Sequence, residues 1–228
     1  IMFQIIVDSA ANIPAELVKK YKIKVLSFIN FVNGKEVTCF YPELSPEEER
    51  QKGHEYYDAV RQGADVKTGL ISTAIFEDAF RSAMENNEDV LDFEEVFRAV
   101  ITSGEDAIYF SLSKNISGNF NSARLAAEDL MHDPVNGRKI RLIDSLNASL
   151  AQGILAIYAS EMRDKGMEVD EVADILETYP AKMNGVFTVG DLKYLSRTGR
   201  LSGATALVGN LLSIKPILRG NKDGFIVQ

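Results

Sequence analysis

The segment SLSKNISGNFNSA, Ser111–Ala123, follows the apolar run DAIYF and leads into a stretch with helical spacing. That order predicts a buried strand that empties through a polar loop into a helix beginning near Gly118 and reaching about Met131. Ser and Asn are favoured at helix starts whatever the function, because their side chains accept from first-turn N–H groups. The same N–H groups, with the partial positive charge of a helix N-terminus, also form a cradle for an anion. Gly118 lets a ligand approach the backbone, and Ser113, Ser117 and Asn119 can donate hydrogen bonds. The loop alone leaves both readings open, cap and cradle.

Two other predicted strands end in the same manner. FQIIVDSA (3–10) closes on Asp8 and Ser9, and KIRLIDS (139–145) on Asp144 and Ser145. In open α/β sheets ligands sit outside the carboxyl ends of parallel strands, so hydroxyls at several such ends line one crevice. Asp8 and Asp144 read as cap or turn residues before they read as catalysts.

Further from the loop, helix signals alternate with strands. Pro14 suits the first turn of a helix over PAELVKKY. Ser45, Pro46 and Glu48 form a capping-box pattern, as do Asp92 and Glu95. STAIFEDAFRSAME and NASLAQGILAIYASEMRDKG both carry one apolar face at helical spacing. KVLSFINFVNGKEVTCF contains two strand-like runs around Asn33-Gly34, a hairpin signal. Alternating strands and helices imply a mainly parallel sheet covered by helices. After Gly166 the texture changes to a short helix, a strand, a helix with a turn, and two strands near the end. The expected fold is α/β in two domains: a Rossmann-like parallel-sheet domain over 1–167 and a smaller α+β domain over 168–228.

Composition narrows the function. The chain has 228 residues, 46% hydrophobic and 25% charged, with a net charge of −8. Charges are mixed and no basic block appears, so nucleic acid and anionic membrane are poor partners. The single Cys39 cannot form an internal disulfide, and no apolar run is long enough to span a membrane. A cytoplasmic location is the expectation. The only histidines, His54 and His132, fall on predicted helices away from any strand end. A serine nucleophile at Ser113 or Ser117 therefore lacks an obvious base, and no metal-ligand spacing, Walker pattern or nucleophile elbow is present. The residues favour a binder over an enzyme. A serine esterase or acyl transferase, and a binder of phosphate compounds, are the alternatives.

Several motifs together resemble the DegV family of bacterial fatty-acid-binding proteins. IIVDSAANIP resembles its opening strand and Asp-Ser loop. KTGLISTAIFEDAF is similar to its Thr-Ser-x-Pro-Ser segment, with Thr68 on the Thr and Ser72 on the last Ser. FSLSKNISGNFNSA resembles lSSglSGTyqsA, with Lys114 in place of the second Ser. LIDSLNASLAQG is similar to a second Asp-Ser motif, and FTVGDLKYLSRTGRLSG with LLSIKPIL resembles its late GGR and KPIL block.

The resemblance implies two α/β domains with a fatty acid between them, and no cofactor or metal. It implies that Thr68, Ser113 and the loop Ser117-Gly118-Asn119 hold the carboxylate, with Ser72 and Lys114 beside them and Arg200 near the mouth. It implies a carrier that presents the acid to a separate kinase subunit for acyl-phosphate formation. A tunnel lined by residues such as Phe28, Phe31, Ile75, Leu195 and Leu201 is the corresponding expectation. The family continues beyond the point matched by Gln228 and supplies a histidine to the carboxylate, so the second domain is expected to be incomplete here.

Overall fold

The computed structural model describes residues 3–38, 44–64, 66–70, 90–132, 137–190, 192, 195, 199–201 and 215–228. Its centre is a parallel sheet in the order β2-β1-β6-β7, formed by β1 (Phe3–Asp8), β2 (Ile23–Leu26), β6 (Asp106–Ser111) and β7 (Ile140–Asp144). Alternating side chains of β1 and β6 pack to opposite faces, as the pleat requires. Phe3, Ile5, Val7, Ile108 and Phe110 join one core, and Ile6, Ala107 and Tyr109 the other. The first core is closed by α1 (Ala15–Lys20), α5 (Leu150–Asp164) and α6 (Val169–Leu176). The second is closed by α3 (Val90–Thr102) and α4 (Asn119–His132). The result is a doubly wound three-layer arrangement.

Strand order reverses between β1 and β6, so the crevice of such a sheet lies at their carboxyl ends. Those ends are Asp8-Ser9 and the Ser111–Asn119 loop. Gly153 lets α5 close against the first of them. A Cβ there would lie 2.8 Å from Ile13 Cγ1 and 2.9 Å from the Ala11 carbonyl.

The run KVLSFINF serves two sheets rather than one. Ser27 separates β2 from β3 (Phe28–Val32), which pairs antiparallel with β4 (Lys35–Thr38) and β5 (Val66–Leu70). The Phe28 N–H donates to Ser9 Oγ at 3.0 Å where the chain leaves the parallel sheet. The hairpin turn falls on Asn33 and Gly34, both at positive φ, as its sequence predicts. α2 (Pro46–Arg61) starts with the expected capping box, Ser45 with Glu48.

A third sheet, antiparallel, comprises β8 (Val186–Phe187), β9 (Leu218–Gly220) and β10 (Ile226–Val227).

Three expectations change in detail. Pro14 is the N-cap of α1 rather than part of its first turn. Asp92 lies inside α3, which begins at Val90, so it does not cap that helix. Val169, Val172, Ala173 and Leu176 of α6 pack into the first core, so this helix joins the parallel sheet although the sequence groups it with the second unit. The helix read over STAIFEDAFRSAME lies outside the described residues. So does most of the segment 191–214, and the expected lining residue Ile75 also lies outside.

Candidate functional site

Asp8 organises the strand ends. Its carboxylate is fully buried and accepts from the Ala10 N–H at 3.1 Å, the Leu112 N–H at 3.1 Å and the Tyr109 hydroxyl at 2.9 Å. One side chain thus ties the end of β1 to the start of the loop after β6. Burial pushes this carboxyl above its ordinary value, opposed by the hydrogen bonds from Leu112, Gln152, Tyr109 and Ala10. Burial, and then the neighbouring Asp8 carboxylate, push the Tyr109 hydroxyl well above its ordinary value. Beside Asp8 opens a cavity of about 350 Å³, lined by Val7, Ala11, Ile13, Pro14, Val25 and Pro46 and by the polar Ser9, Asn12, Glu49 and Arg50.

The loop itself is built on Ser113. This residue is fully buried, and its N–H donates to the Asn147 carbonyl at 2.9 Å. Its own carbonyl accepts from Ile116 and Ser117, both at 3.0 Å, which turns the chain toward α4. Its hydroxyl donates to the Gly224 carbonyl at 2.8 Å and accepts from the Asn115 N–H at 3.4 Å. A hydroxyl has one proton, and here a backbone carbonyl takes it.

Ser117 Oγ accepts from the Asn119 N–H at 3.3 Å, at the start of α4. Asn119 is 3% exposed, and its Nδ2 has no hydrogen-bond partner. An unsatisfied buried amide donor costs about 1–3 kcal/mol, so such groups call for a partner. Gly118 is exposed beside it. Lys114 points outward: its Nζ lies 3.6 Å from Asp144 Oδ2 and 5.8 Å from the Phe120 ring centroid. Asp144 also accepts through Oδ1 from the Leu146 and Lys114 N–H groups, a turn role. Arg200 reaches the same loop, donating from Nε to the Ile116 carbonyl at 3.3 Å.

The structure therefore gathers Ser113, Lys114, Ser117, Gly118, Asn119 and Arg200 around one loop. Thr68 sits on β5 with its backbone opposite Asn30 in β3. Ser72 lies outside the described residues. His54 on α2 and His132 at the end of α4 are both exposed, and Ser113 Oγ faces a carbonyl rather than a base. Among the described residues no cluster of His, Cys, Asp or Glu could hold a metal ion, and no helix is long and apolar enough to cross a membrane.

Two contributors escaped the sequence reading. Asn147 receives the Ser113 N–H and donates through Nδ2 to the Ser145 and Pro180 carbonyls at 2.8 and 3.2 Å. Gly224 comes from a turn 111 residues after Ser113. The NASL and NKDG segments hold these residues, but nothing local in either points to the loop.

A doubly wound parallel sheet whose switch point meets a helix start, accompanied by two small antiparallel sheets, defines an α/β protein of three sheets. The chain belongs to the DegV family: the family model described as "Uncharacterised protein, DegV family" matches residues 87–228. A DegV domain-containing protein of Clostridium perfringens is 32% identical over 223 residues, covering 97% of this chain and 68% of that one. One from Lactococcus lactis is 30% identical over 226 residues, covering 99% and 70%.

Solved structures agree. A fatty-acid-binding DegV family protein from Thermus thermophilus matches with a TM-score of 0.74 at 25% identity, covering 100% of this chain and 70% of that one. A DegV lipid-binding protein from Thermotoga maritima matches at 0.73 and 27% identity, covering 99% and 69%. A stearic-acid-binding protein from Eubacterium ventriosum matches at 0.74 and 25% identity, with the same coverage.

Proposed function

We propose that this chain binds a long-chain fatty acid, with its carboxylate at the start of α4 and its tail between the parallel-sheet unit, which includes α6, and the smaller unit after it. The observation that carries the reading is Asn119 Nδ2, a buried donor without a partner at a helix N-terminus. The fatty-acid and lipid ligands of the matching proteins give the anion its class.

A buried carboxylate without partners is very costly, so several charge-assisted hydrogen bonds must meet it. In this proposal Asn119 Nδ2, the Gly118 N–H just before the helix, the Ser117 hydroxyl and Thr68 supply them. Lys114 and Arg200 add positive charge at the rim, and Ser113 shapes the loop. The tail contributes about 0.8 kcal/mol per buried CH₂, on the order of 12 kcal/mol gross for some fifteen of them. Ordering and association costs remove a large part of that.

The protein acts in the cytoplasm as a carrier, with no catalytic residues of its own, and hands its ligand to a separate kinase subunit for acyl-phosphate formation. Calorimetric titration with oleate tests the binding step. The proposal expects saturable one-to-one binding that Asn119→Ala weakens at least tenfold, the weight of a hydrogen bond to a charged group, about 1.5–3 kcal/mol. Binding of inorganic phosphate or phosphate esters that displaces oleate would instead favour the phosphate-compound reading. Labelling of Ser113 or Ser117 by a fluorophosphonate would favour the esterase.

A further inference from the structure

The sequence NKDG, Asn221–Gly224, reads as a turn and nothing more, yet it makes long-range bonds to the head-group loop. Ser113 Oγ donates to the Gly224 carbonyl at 2.8 Å, and Asn115 Nδ2 donates to the Asp223 carbonyl at 2.5 Å. We propose that this turn is a positioning element of the ligand site, latching the Ser113–Asn119 loop through Gly224 and Asn115. The proposal rests on the fatty-acid reading for its ligand but not for its geometry.

The turn is preformed. Asn221 Oδ1 accepts from the Asp223 and Phe225 N–H groups at 3.0 and 2.9 Å, and the Gly224 N–H closes on the Asn221 carbonyl at 3.0 Å. It is also pressed close. A Cβ on Gly224 would lie 2.3 Å from Ser113 Oγ and 3.2 Å from Leu146 Cα, and Gly224 has φ +82°. Only glycine meets both conditions. Gly220, on the same hairpin, passes the Leu146 carbonyl in the same manner, with a Cβ distance of 3.3 Å.

The surface that the hairpin presses on is strained. Leu146 has φ 50° and Ser149 has φ 56° with ψ −138°, a region suited to glycine. Such conformations persist where the surroundings over-determine them. Here Asn147, between the two, accepts from the Ser113 N–H at 2.9 Å. The turn, the strained segment and the loop thus interlock around Ser113.

A rigid turn holding this loop fixes where Asn119 Nδ2 and the α4 N-terminus converge. Loosening it leaves every donor in place but lets them wander, which weakens binding of any chain length equally.

The test uses Asn115→Ala, which removes one strap and none of the proposed ligand donors, and Gly224→Ala, which drives a Cβ into Ser113. Hydrogen exchange and parinaric-acid binding are measured on both and on the unaltered protein. Asn115→Ala is expected to speed exchange at Lys114–Asn119 and at Asn221–Gly224 together. It is expected to weaken parinaric acid about threefold to tenfold, roughly one neutral hydrogen bond. Relative affinities for palmitate and oleate should stay unchanged. Faster exchange at the turn alone, with loop exchange unchanged, overturns the latch, whatever Gly224→Ala does to folding. If the unaltered protein takes up no parinaric acid, the fatty-acid reading has failed, and the exchange data still decide the latch.

Discussion

Replacing Asp8 by Ala should cost the protein about 3–5 kcal/mol. The carboxylate accepts two backbone N–H groups and the Tyr109 hydroxyl, at 2.9–3.1 Å, and is fully buried. Each hydrogen bond to a charged acceptor contributes about 1.5–3 kcal/mol, and removing the acceptor leaves its buried donors unsatisfied. Against this stands the desolvation of the carboxylate itself, which is large enough to raise its pKa. Ala10 is only half-buried, so water can replace its partner, whereas Tyr109 is wholly enclosed.

Asp8→Asn keeps one acceptor oxygen but turns an NH₂ toward another donor, for a loss of about 1–2 kcal/mol. The sign of the pH dependence follows from the raised pKa. Stability from Asp8 protonation is complete below the unfolded value of 3.8 and is lost as pH rises through the folded value. Asp8→Asn should flatten the stability profile in that window. Urea unfolding followed by circular dichroism, repeated across pH, reads both effects. An Asp8→Ala protein within 1 kcal/mol of the unaltered one, roughly less than a single such bond, would refute the bridging role.

Other outcomes follow from single contacts. Gly153→Ala gains about 1 kcal/mol of helix propensity but drives a methyl into Ile13 and the Ala11 carbonyl, so a net loss of about 1 kcal/mol is expected in thermal unfolding. Ser45→Ala removes the α2 capping box, about 1 kcal/mol. Because α2 buries no residue fully, that loss should appear as faster amide exchange within α2 before any change in global stability. Asp170 accepts from Lys139 and Arg141, which hold its carboxyl below its ordinary value. Its contribution is present above pH 3.8 and is lost as pH falls through the folded value. At an exposed site it amounts to a few tenths of a kcal/mol that Asp170→Ala and high salt both erase.

Three strands of the parallel sheet, β1, β6 and β7, are legible because they are short apolar runs ended by Asp-Ser or Ser-rich loops. The hairpin at Asn33-Gly34 was legible because its turn requires φ > 0 at both positions. The division of KVLSFINF between two sheets was not, since periodicity does not change where Ser27 breaks the run. The pairing of α6 with the first core was hidden for a similar reason: an amphipathic stripe shows which face is buried, not against what.

At the site, the loop Ser113–Asn119 stood out from its own composition, and Arg200 through the family resemblance. Asp8 reads as a cap and is one, but its bond to Leu112 spans 104 residues and leaves no local trace. The same holds for Gly224 and Asn147, whose partners are fixed by the fold. Ser113 is the instructive case. The motif places it in the loop, but its proton goes to the Gly224 carbonyl, a partner 111 residues away that no local pattern announces.

Native mass spectrometry of the protein as purified from cells, followed by organic extraction, probes the lipid-carrier account most directly. The account predicts a single bound species that extraction releases as a long-chain fatty acid. A bare chain that also fails to take up added palmitate or oleate would contradict it.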